Sequence, residues 1–438
     1  MNDGKLDQMR LSRRRVAKLG AAGAAVAASS RFAMPAVIRA QEPVTLSYFY
    51  PVGVAGPLAQ VMQDMVDAFN EAHPDITVEA SFTGSYADTA TKVQTAVQGG
   101  NPPDVAVLLA TDKQTMLDLG ALFPVSDLEA DDSFDPADFR EAYWADTQVD
   151  GKTWCVPFQR STPVLYYNKT ALETAGLDPE TPPETWDDLV ANGKAVMDAG
   201  ATTWGVEIPA TTSAYWLFQA LAIQSGQTLN GEDAAHVNFD TPEAIEALTW
   251  MVGLSTEAGV MPTGAIDWSA GPTDFSSATT AFLYHSTGSL VSIKGQAEFE
   301  FGTAFLPKNV QFGVPTGGGN MYVFETDDAR QQAAWTFVQW MTSTEQATHW
   351  SLESGYVPTR YSVTDSQEWK DYVAETPQAT TAIDQLEYAQ PELTGHQSGQ
   401  LQKFMDDAIQ AAVTEQASPE DALKSAQEQA DSVLSQFR

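Results

Sequence analysis

The feature that most constrains the fold is an alternation of strand and helix patterns that begins at residue 44. Residues 44–50 are rich in β-branched and aromatic side chains, and apolar residues then recur at helical spacing over residues 58–69. Residues 76–82 alternate as a strand does, residues 88–97 form a second helical pattern, and residues 105–109 are a continuous apolar run. Because crossovers of this length join parallel strands, the pattern predicts an α/β sheet.

The length of the chain predicts two lobes. At 438 residues it exceeds the size at which a single hydrophobic core usually stops growing. No low-complexity linker separates the halves, so we expect structured crossings and a hinge. Thr185 with Asp188 has the form of a capping box, and Ser418 before Pro419 is a second helix start. The apolar stripe of residues 401–409 must pack on a segment distant in sequence.

The first 40 residues are typical of an export signal. Residues 12–18 (SRRRVAK) follow a twin-arginine pattern, residues 19–28 are alanine-rich and apolar, and residues 37–40 (VIRA) resemble a cleavage site. The alternative is a short basic tail. We predict cleavage near Ala40 and a mature protein in the periplasm. The apolar stretch is too short to span a bilayer.

The charge of the mature chain excludes two classes of partner. Removing eight of the 23 basic residues and two of the 58 acidic ones with the signal leaves 15 basic and 56 acidic residues, a net charge of −41. Because such a field repels nucleic acid and anionic membranes, we expect neither as a partner. We interpret the acidic excess as a solubility feature. Cys155 is the only cysteine, so no intramolecular disulfide can form.

Four segments resemble the extracellular solute-binding proteins of ABC importers, in the family that contains the maltose-binding and glycerol-3-phosphate-binding proteins. They are residues 161–169 (STPVLYYNK), 175–179 (AGLDP), 286–290 (STGSL) and 354–359 (SGYVPT). The resemblance covers residues 44–437 and is strongest to the glycerol-3-phosphate-binding type. It implies an α/β fold of two lobes, each a mostly parallel sheet flanked by helices, joined by a hinge with a ligand cleft.

The resemblance also implies where the chain crosses between the lobes. Residues 157–169 (PFQRSTPVLYYNK) would leave the first lobe, line the cleft and enter the second lobe as a buried strand. The chain would return near residues 317–322, where a glycine run allows close backbone approach, and cross again near residues 365–375. The expected lobes are an N-terminal one of residues 41–160 with 322–370 and a C-terminal one of residues 161–321 with 371–438.

By the same resemblance, polar and aromatic side chains line the cleft. The candidate ligand-binding residues are Tyr86, Arg160, Ser161, Tyr215, Trp216, Ser286, Gly318, Asn320 and Tyr356. Hydroxyl, amide and charged groups can bind a polar solute while aromatic faces pack on its carbon skeleton. The alternative for Arg160 is a surface ion pair with one of the many carboxylates, and each aromatic residue could instead belong to a core.

Two departures from the glycerol-3-phosphate-binding type bear on the ligand. Ala110 stands where that type has a carboxylate for glycerol hydroxyls, and Thr394, close to His396, stands where it has an arginine for phosphate. Losing an arginine removes a bidentate anion contact. We therefore expect a neutral sugar, polyol or oligosaccharide. The alternative is glycerol-3-phosphate or a glycerophosphodiester that Arg160 binds.

The sequence contains no evident catalytic constellation. The five histidines lack metal-binding spacing, and His285 stands beside residues 286–289 (STGS), where adjacent strand residues point to opposite faces. We expect a binding protein without cofactor, with a secreted hydrolase as the remote alternative. The expected partners are a small solute and the transmembrane subunits of an ABC permease, the protein is expected to be a monomer, and ligand binding is expected to close the lobes.

Overall fold

The structure is a computed structural model that describes residues 43–54, 56–128 and 134–438. The predicted export signal and its cleavage site lie outside the described residues. Within those ranges, no helix combines the length and the apolar character that crossing a membrane requires.

The described strands fall into two larger sheets and two short pairs. They are β1 Val44–Tyr50, β2 Ile76–Phe82, β3 Val105–Leu109, β4 Gln148–Val149, β5 Lys152–Thr153, β6 Cys155–Ser161, β7 Pro163–Asn168, β8 Trp204–Glu207, β9 Thr280–Ser286, β10 Phe301–Ala304, β11 Val314–Pro315, β12 Gly317–Val323 and β13 Ala389–Gln390.

The described α-helices flank these sheets. They are α1 Leu58–Ala72, α2 Tyr86–Gln98, α3 Lys113–Asp118, α4 Glu141–Trp144, α5 Lys169–Thr174, α6 Trp186–Asp198, α7 Ala214–Gln224, α8 Pro242–Thr256, α9 Gly271–Ser276, α10 Leu290–Gln296, α11 Asp328–Met341, α12 Thr344–Ser354, α13 Tyr361–Asp365, α14 Gln367–Glu375, α15 Thr381–Gln385, α16 Ser398–Val413 and α17 Pro419–Leu434. The capping box at Thr185 and the helix start at Ser418 are confirmed.

The first sheet has the strand order β2-β1-β3-β12-β6 and forms the N-terminal lobe with the helices packed on it. β1 pairs in parallel with β2 and β3, as the alternation at the start of the chain predicts. β12 is antiparallel to both β3 and β6. Apolar side chains of α1 and α11, including Phe69, Phe337 and Val338, pack in the core of this lobe.

The second sheet has the order β10-β7-β9-β8 and forms the C-terminal lobe. β7 is antiparallel to β9 and β10, and only β8 pairs in parallel, with β9. The α/β class is confirmed, and each sheet is mixed, with all strands in one direction except β12 in the first sheet and β7 in the second. The reason is that β7 and β12 enter their sheets from the other lobe, so the rule for helical crossovers within one sheet does not apply to them.

The C-terminal helices complete the core of the C-terminal lobe. Leu401, Met405 and Ile409 of α16 pack in one cluster with residues of α7, α8 and α17. This distant packing is what the apolar stripe of residues 401–409 required. α7 is buried on every side, which agrees with its apolar residues all around the helix.

The chain passes between the sheets in short steps. β6 ends at Ser161 in the first sheet and β7 begins at Pro163 in the second, so only Thr162 separates them. β12 pairs in the first sheet from Gly317 onward, so that sheet takes in residues 317–321, which the sequence assigned to the other lobe. A last passage lies between α12, which packs in the N-terminal core, and α15, which packs beside β7.

Candidate functional site

A cavity of about 50 Å³ lies between the two lobes, and we call it the aromatic cavity. The N-terminal lobe contributes the loop after β1, the start of α2, the ends of β3 and β6 and part of β12. The C-terminal lobe contributes the end of β9, the start of α7 and the segment before α16. The lining residues are Gly53, Val54, Tyr86, Leu109, Ser161, Ser213, Tyr215, Trp216, Trp268, Ser286, Gly318, Tyr356 and Glu392.

Seven of the nine candidate residues line this cavity: Tyr86, Ser161, Tyr215, Trp216, Ser286, Gly318 and Tyr356. They come from widely separated segments of both lobes, so the fold brings together what the resemblance selected. Arg160 and Asn320 are not among the lining residues.

Arg160 lies behind the aromatic cavity and is fully buried. Its Nη1 donates to Oδ1 of Asn320 at 3.0 Å, and its Nη2 pairs with Oδ2 of Asp146 at 3.2 Å. The guanidinium also lies over the ring of Tyr143, 4.8 Å from the centroid. Asn320 in turn donates to the sulfur of Cys155. The ion pair that was the alternative for Arg160 is present but buried, and Arg160 and Asn320, expected as ligand-binding residues, bind protein groups instead.

The tryptophans of the aromatic cavity are held through their indole nitrogens. Nε1 of Trp216 donates to the carbonyl of Thr316 at 3.0 Å, and Nε1 of Trp268 donates to the carbonyl of Gly53 at 3.2 Å. The two ring centroids are 6.2 Å apart. With the polar edges bonded to the backbone, the carbon faces of these rings are what they can offer a solute.

The tyrosines keep their protons. Tyr86 donates to Oε1 of Gln159 at 2.9 Å, and Tyr215 donates to Oε1 of Glu392 at 2.7 Å. Burial raises the pKa of both phenols, and it raises the pKa of Tyr356 to about 12. All three hydroxyls are therefore donors at neutral pH.

The glycine run of β12 gives the clearance that the sequence predicted. A Cβ at Gly317 would lie 2.5 Å from the ring of Trp216, and one at Gly318 would lie 1.9 Å from the carbonyl oxygen of Gln159. Gly318 also has a φ of +86°, which side-chain-bearing residues rarely adopt. The run thus allows the Trp216 ring to pack directly on the backbone of β12.

Glu392 is the main lining residue that the sequence analysis missed. It is only 3% exposed, and its Oε2 is buried without a hydrogen-bond partner in the described part of the chain. Burial raises the pKa of this carboxyl to about 8. The sequence analysis examined Thr394, two positions later, but one buried acid cannot be distinguished by sequence among 58 acidic residues. Trp268 and Ser213 carried no motif and were also missed.

A second cavity of about 160 Å³ shares Glu392 with the first, and we call it the polar cavity. Its lining residues are Ala110, Thr111, Lys113, Gln114, Asp146, Val149, Ala234, Glu392 and Thr394. Ala110 and Thr394, the two departures from the glycerol-3-phosphate-binding type, both line it. Among these described residues Lys113 is the only base, and its Nζ donates to the backbone carbonyls of Asp146 and Gln148.

Direct contacts join the lobes beside the polar cavity. The Ser398 hydroxyl donates to the carbonyl of Thr111 at 2.7 Å, and Nε2 of Gln402 donates to Oγ1 of Thr111 at 3.0 Å. Further out, Nδ1 of His396 lies 2.8 Å from Oδ2 of Asp118. We call these three the cross-lobe contacts. They connect α16 and the segment before it to the residues that follow β3.

His285 takes part in a hydrogen bond that the sequence analysis did not foresee. Its Nδ1 lies 2.8 Å from Oγ of Ser289, and its Nε2 lies 3.1 Å from the carbonyl of Trp268. The turn after β9 brings Ser289 back to the imidazole ring of His285. The sequence argument that neighbouring strand residues point to opposite faces therefore holds for Ser286 but not for Ser289. His285 and Ser289 are both 1% exposed, and burial lowers the pKa of the imidazole to about 4. Both ring nitrogens are thus used within the protein.

Comparison with known proteins shows the family of the chain and its fold. Residues 64–381 match the family described as bacterial extracellular solute-binding protein. The sn-glycerol-3-phosphate-binding periplasmic protein of Shigella dysenteriae is 26% identical over 419 residues, which is 91% of this chain and 94% of that protein.

Two solved structures have a similar fold. The cyclic alpha-maltosyl-1,6-maltose binding protein from Arthrobacter globiformis is 28% identical with a TM-score of 0.74, covering 90% of this chain and all of that one (100%). UgpB from Mycobacterium tuberculosis in complex with glycerophosphocholine is 23% identical with a TM-score of 0.80, covering 91% and 99%. At that identity the second likeness concerns the fold alone.

Proposed function

The chain belongs to the family of bacterial extracellular solute-binding proteins, and from that premise we propose that it captures a neutral sugar, polyol or oligosaccharide for an ABC importer. The solute is bound between the lobes and passed to the transmembrane subunits of the permease.

The chemistry of the aromatic cavity carries this proposal. Aromatic faces, serine hydroxyls and one carboxyl group surround it, and none of its described lining residues is basic. Aromatic faces pack on the carbon skeleton of a sugar, and hydroxyls and carboxylates exchange hydrogen bonds with its hydroxyl groups. A phosphate group would find no cation to bind in this cavity.

Closure of the lobes is the step that couples capture to transport. A water molecule needs roughly 10–15 Å³ of such cavity space, so the described conformation, with about 50 Å³, is closed more tightly than one that holds a sugar unit, and a solute enters when the lobes separate and keeps them slightly further apart. Residues of both lobes line the cavity, so a solute contacts the full set only in the closed form. Binding therefore shifts the equilibrium toward closure, which the permease can recognise.

A glycerophosphodiester or glycerol-3-phosphate is the second candidate. Relatives with those ligands in their names favour it, as does Lys113 in the polar cavity. Arg160, the residue expected to bind the anion, donates to Asp146 and Asn320 instead. The carboxylate of Asp146 would also repel an anion in the polar cavity, so the neutral solute has the stronger support.

A binding screen on the purified mature protein tests the proposal. Thermal shift and titration calorimetry compare neutral mono- and oligosaccharides and polyols with glycerol-3-phosphate and glycerophosphocholine. A ligand at 100 times its dissociation constant adds about 2.7 kcal/mol to the free energy of unfolding, which raises the melting temperature measurably. We expect a neutral carbohydrate to do so. Stabilisation by the phosphate compounds alone would select the second candidate.

We propose further that the protein is a periplasmic monomer without catalytic activity, exported by the twin-arginine route and cleaved near Ala40. Mass spectrometry of the mature N-terminus and light scattering of the purified protein test the cleavage and the oligomeric state. Recovery of every binding ligand unchanged after incubation tests the absence of turnover, and any product would return the hydrolase alternative.

A further inference from the structure

The buried carboxyl group of Glu392 is satisfied on one side only. Oε1 accepts the hydrogen bond of Tyr215 at 2.7 Å, whereas Oε2 has no partner among the described residues. A buried carboxyl oxygen without a hydrogen bond destabilises the folded protein. Glu392 lines both the aromatic and the polar cavity, so it lies where the two adjoin.

The two cavities differ in the contacts they can make. The aromatic cavity offers ring faces, and the polar cavity offers the hydroxyls of Thr111 and Thr394 with the carboxyl groups of Asp146 and Glu392. Aromatic side chains are found only in the first of these two sets of described lining residues. A solute with one unit in each cavity would therefore pack a ring face in the first and place hydroxyl groups in the second.

The balance of hydrogen-bond donors and acceptors in the polar cavity indicates more closely which class of ligand it fits. Two of the three protons on Nζ of Lys113 go to backbone carbonyls, and Gln114 donates to Asp118. Most donors of the polar cavity are thus already bonded within the protein. Oε2 of Glu392, an acceptor, is not. The complementary ligand brings donors of its own, as carbohydrate hydroxyl groups do.

We propose that Glu392 is the anchoring residue between two adjoining subsites and that the solute is a carbohydrate of at least two linked units, with one unit in the aromatic cavity and the next in the polar cavity. This inference rests on the proposed function and specifies its substrate class. Glu392 accepts hydrogen bonds from ligand hydroxyl groups at the junction of the two units.

Titration calorimetry with two probe series tests the length requirement. The probes are glucose, maltose and maltotriose, and mannose, mannobiose and mannotriose. We expect the disaccharide of the accepted series to bind at least tenfold more tightly than its monosaccharide. Equal affinities would overturn the two-subsite inference and leave the proposed function standing, whereas binding of neither series, or of choline or glycerophosphocholine instead, would count against both.

Substitution of Ala110 by leucine tests the polar cavity separately. Ala110 lines that cavity and not the aromatic one, so Ala110→Leu fills the second subsite and leaves the first unchanged. We expect the disaccharide to lose its advantage while the monosaccharide binds as before. A variant that binds both as the wild type does would place the second unit elsewhere.

The Glu392→Gln variant tests the anchor. The amide preserves the shape and can still accept from Tyr215, but it puts an NH2 group, which cannot accept, in place of the unpartnered oxygen, so we expect an affinity loss of about 10- to 100-fold. Glu387→Gln changes the same groups at an exposed position and serves as the matched control. Unchanged disaccharide affinity in Glu392→Gln would overturn the assignment. Melting curves without ligand identify any folding defect, and Ala110→Leu remains an independent test.

Discussion

Two regions beside the ligand cavity each bury an ionisable side chain, Arg160 in one and Glu392 in the other, and the two side chains differ in their bonding partners. Arg160 has no exposed surface, and it is bonded to Asp146, Asn320 and the face of Tyr143. Glu392 is almost as buried, yet one of its oxygens has no partner in the described residues. The comparison shows that burial alone does not identify a functional charge. The distinguishing property is the partner: Arg160 pairs with the carboxylate of Asp146, although its Nε has no hydrogen bond among the described residues, whereas the side chain of Glu392 bonds only the neutral hydroxyl of Tyr215.

The largest effect should come from removing Arg160, the charge that has a buried ion-pair partner. Arg160→Met leaves Asp146 and Asn320 without their partner, and breaking a buried pair in this way costs about 3–5 kcal/mol of the free energy of unfolding. Denaturant titration measures the loss. Lys152→Met, which breaks the exposed pair with Asp127, is the matched control and should cost at most about 1 kcal/mol. An Arg160→Met variant that is as stable as the wild type but no longer binds the solute would show that Arg160 is a ligand-binding residue and not a structural one.

Removing Glu392 should have the opposite effect from removing Arg160: it should stabilise the folded protein, and more so as the pH rises. The pKa of Glu392 is raised from 4.5 to about 8, so the folded state binds a proton that the unfolded state has released between those values. Folding stability therefore falls as the pH rises through this range, by at most about 1.4 kcal/mol per pH unit from this group.

Glu392→Gln removes that dependence. In denaturant titrations from pH 5 to pH 8 without ligand, its free energy of unfolding should increase relative to the wild type as the pH rises. Glu387→Gln should show no such trend. A Glu392→Gln variant that becomes less stable than the wild type with rising pH would mean that the carboxylate is satisfied in the folded protein.

The smallest effect should come from the cross-lobe contacts. Ser398→Ala removes the hydrogen bond to Thr111, which amounts to about 1 kcal/mol and exists only in the closed form, together with local bonds to Gly395 that exist in both forms. We expect a roughly fivefold weaker solute affinity and a small fall in melting temperature in the absence of ligand. Titration calorimetry and melting curves measure the two quantities. Ser432→Ala on α17 is a serine control away from the cleft. An equal loss of solute affinity in both variants would show that the effect of Ser398→Ala does not come from its contact in the closed form.

Local elements of the fold could be predicted from sequence. Val44–Tyr50 and Val105–Leu109 are strands with the bounds that their residue patterns indicated, because strand propensity and burial act over a few neighbouring residues. The capping box at Thr185 also needs only adjacent residues. The antiparallel pairing of β12 could not be predicted in this way, since it depends on a segment that enters from the other lobe.

The polar and aromatic residues of the candidate site were predicted from family motifs rather than from physical properties of the sequence. The roles of its two buried ionisable residues, Arg160 and Glu392, were not predicted. Arg160 binds Asn320, 160 positions later in the chain, so its role depends on tertiary structure that no local pattern encodes. Glu392 lies outside the motifs that carry the resemblance. Its burial results from the packing of Tyr215 and the segment before α16. Serine and aromatic positions inside the motifs were easier, because the resemblance named them directly.

The single residue between β6 and β7 has a consequence for how far different parts of the protein can travel. Thr162 is buried, and the ring of Pro163 restricts the backbone that follows. A rotation there displaces an atom in proportion to its distance from the axis. Ser161, beside Thr162, would move little, whereas more distant groups would be carried further. A spectroscopic label placed far from Thr162 would therefore register opening with more sensitivity than one beside the bound solute.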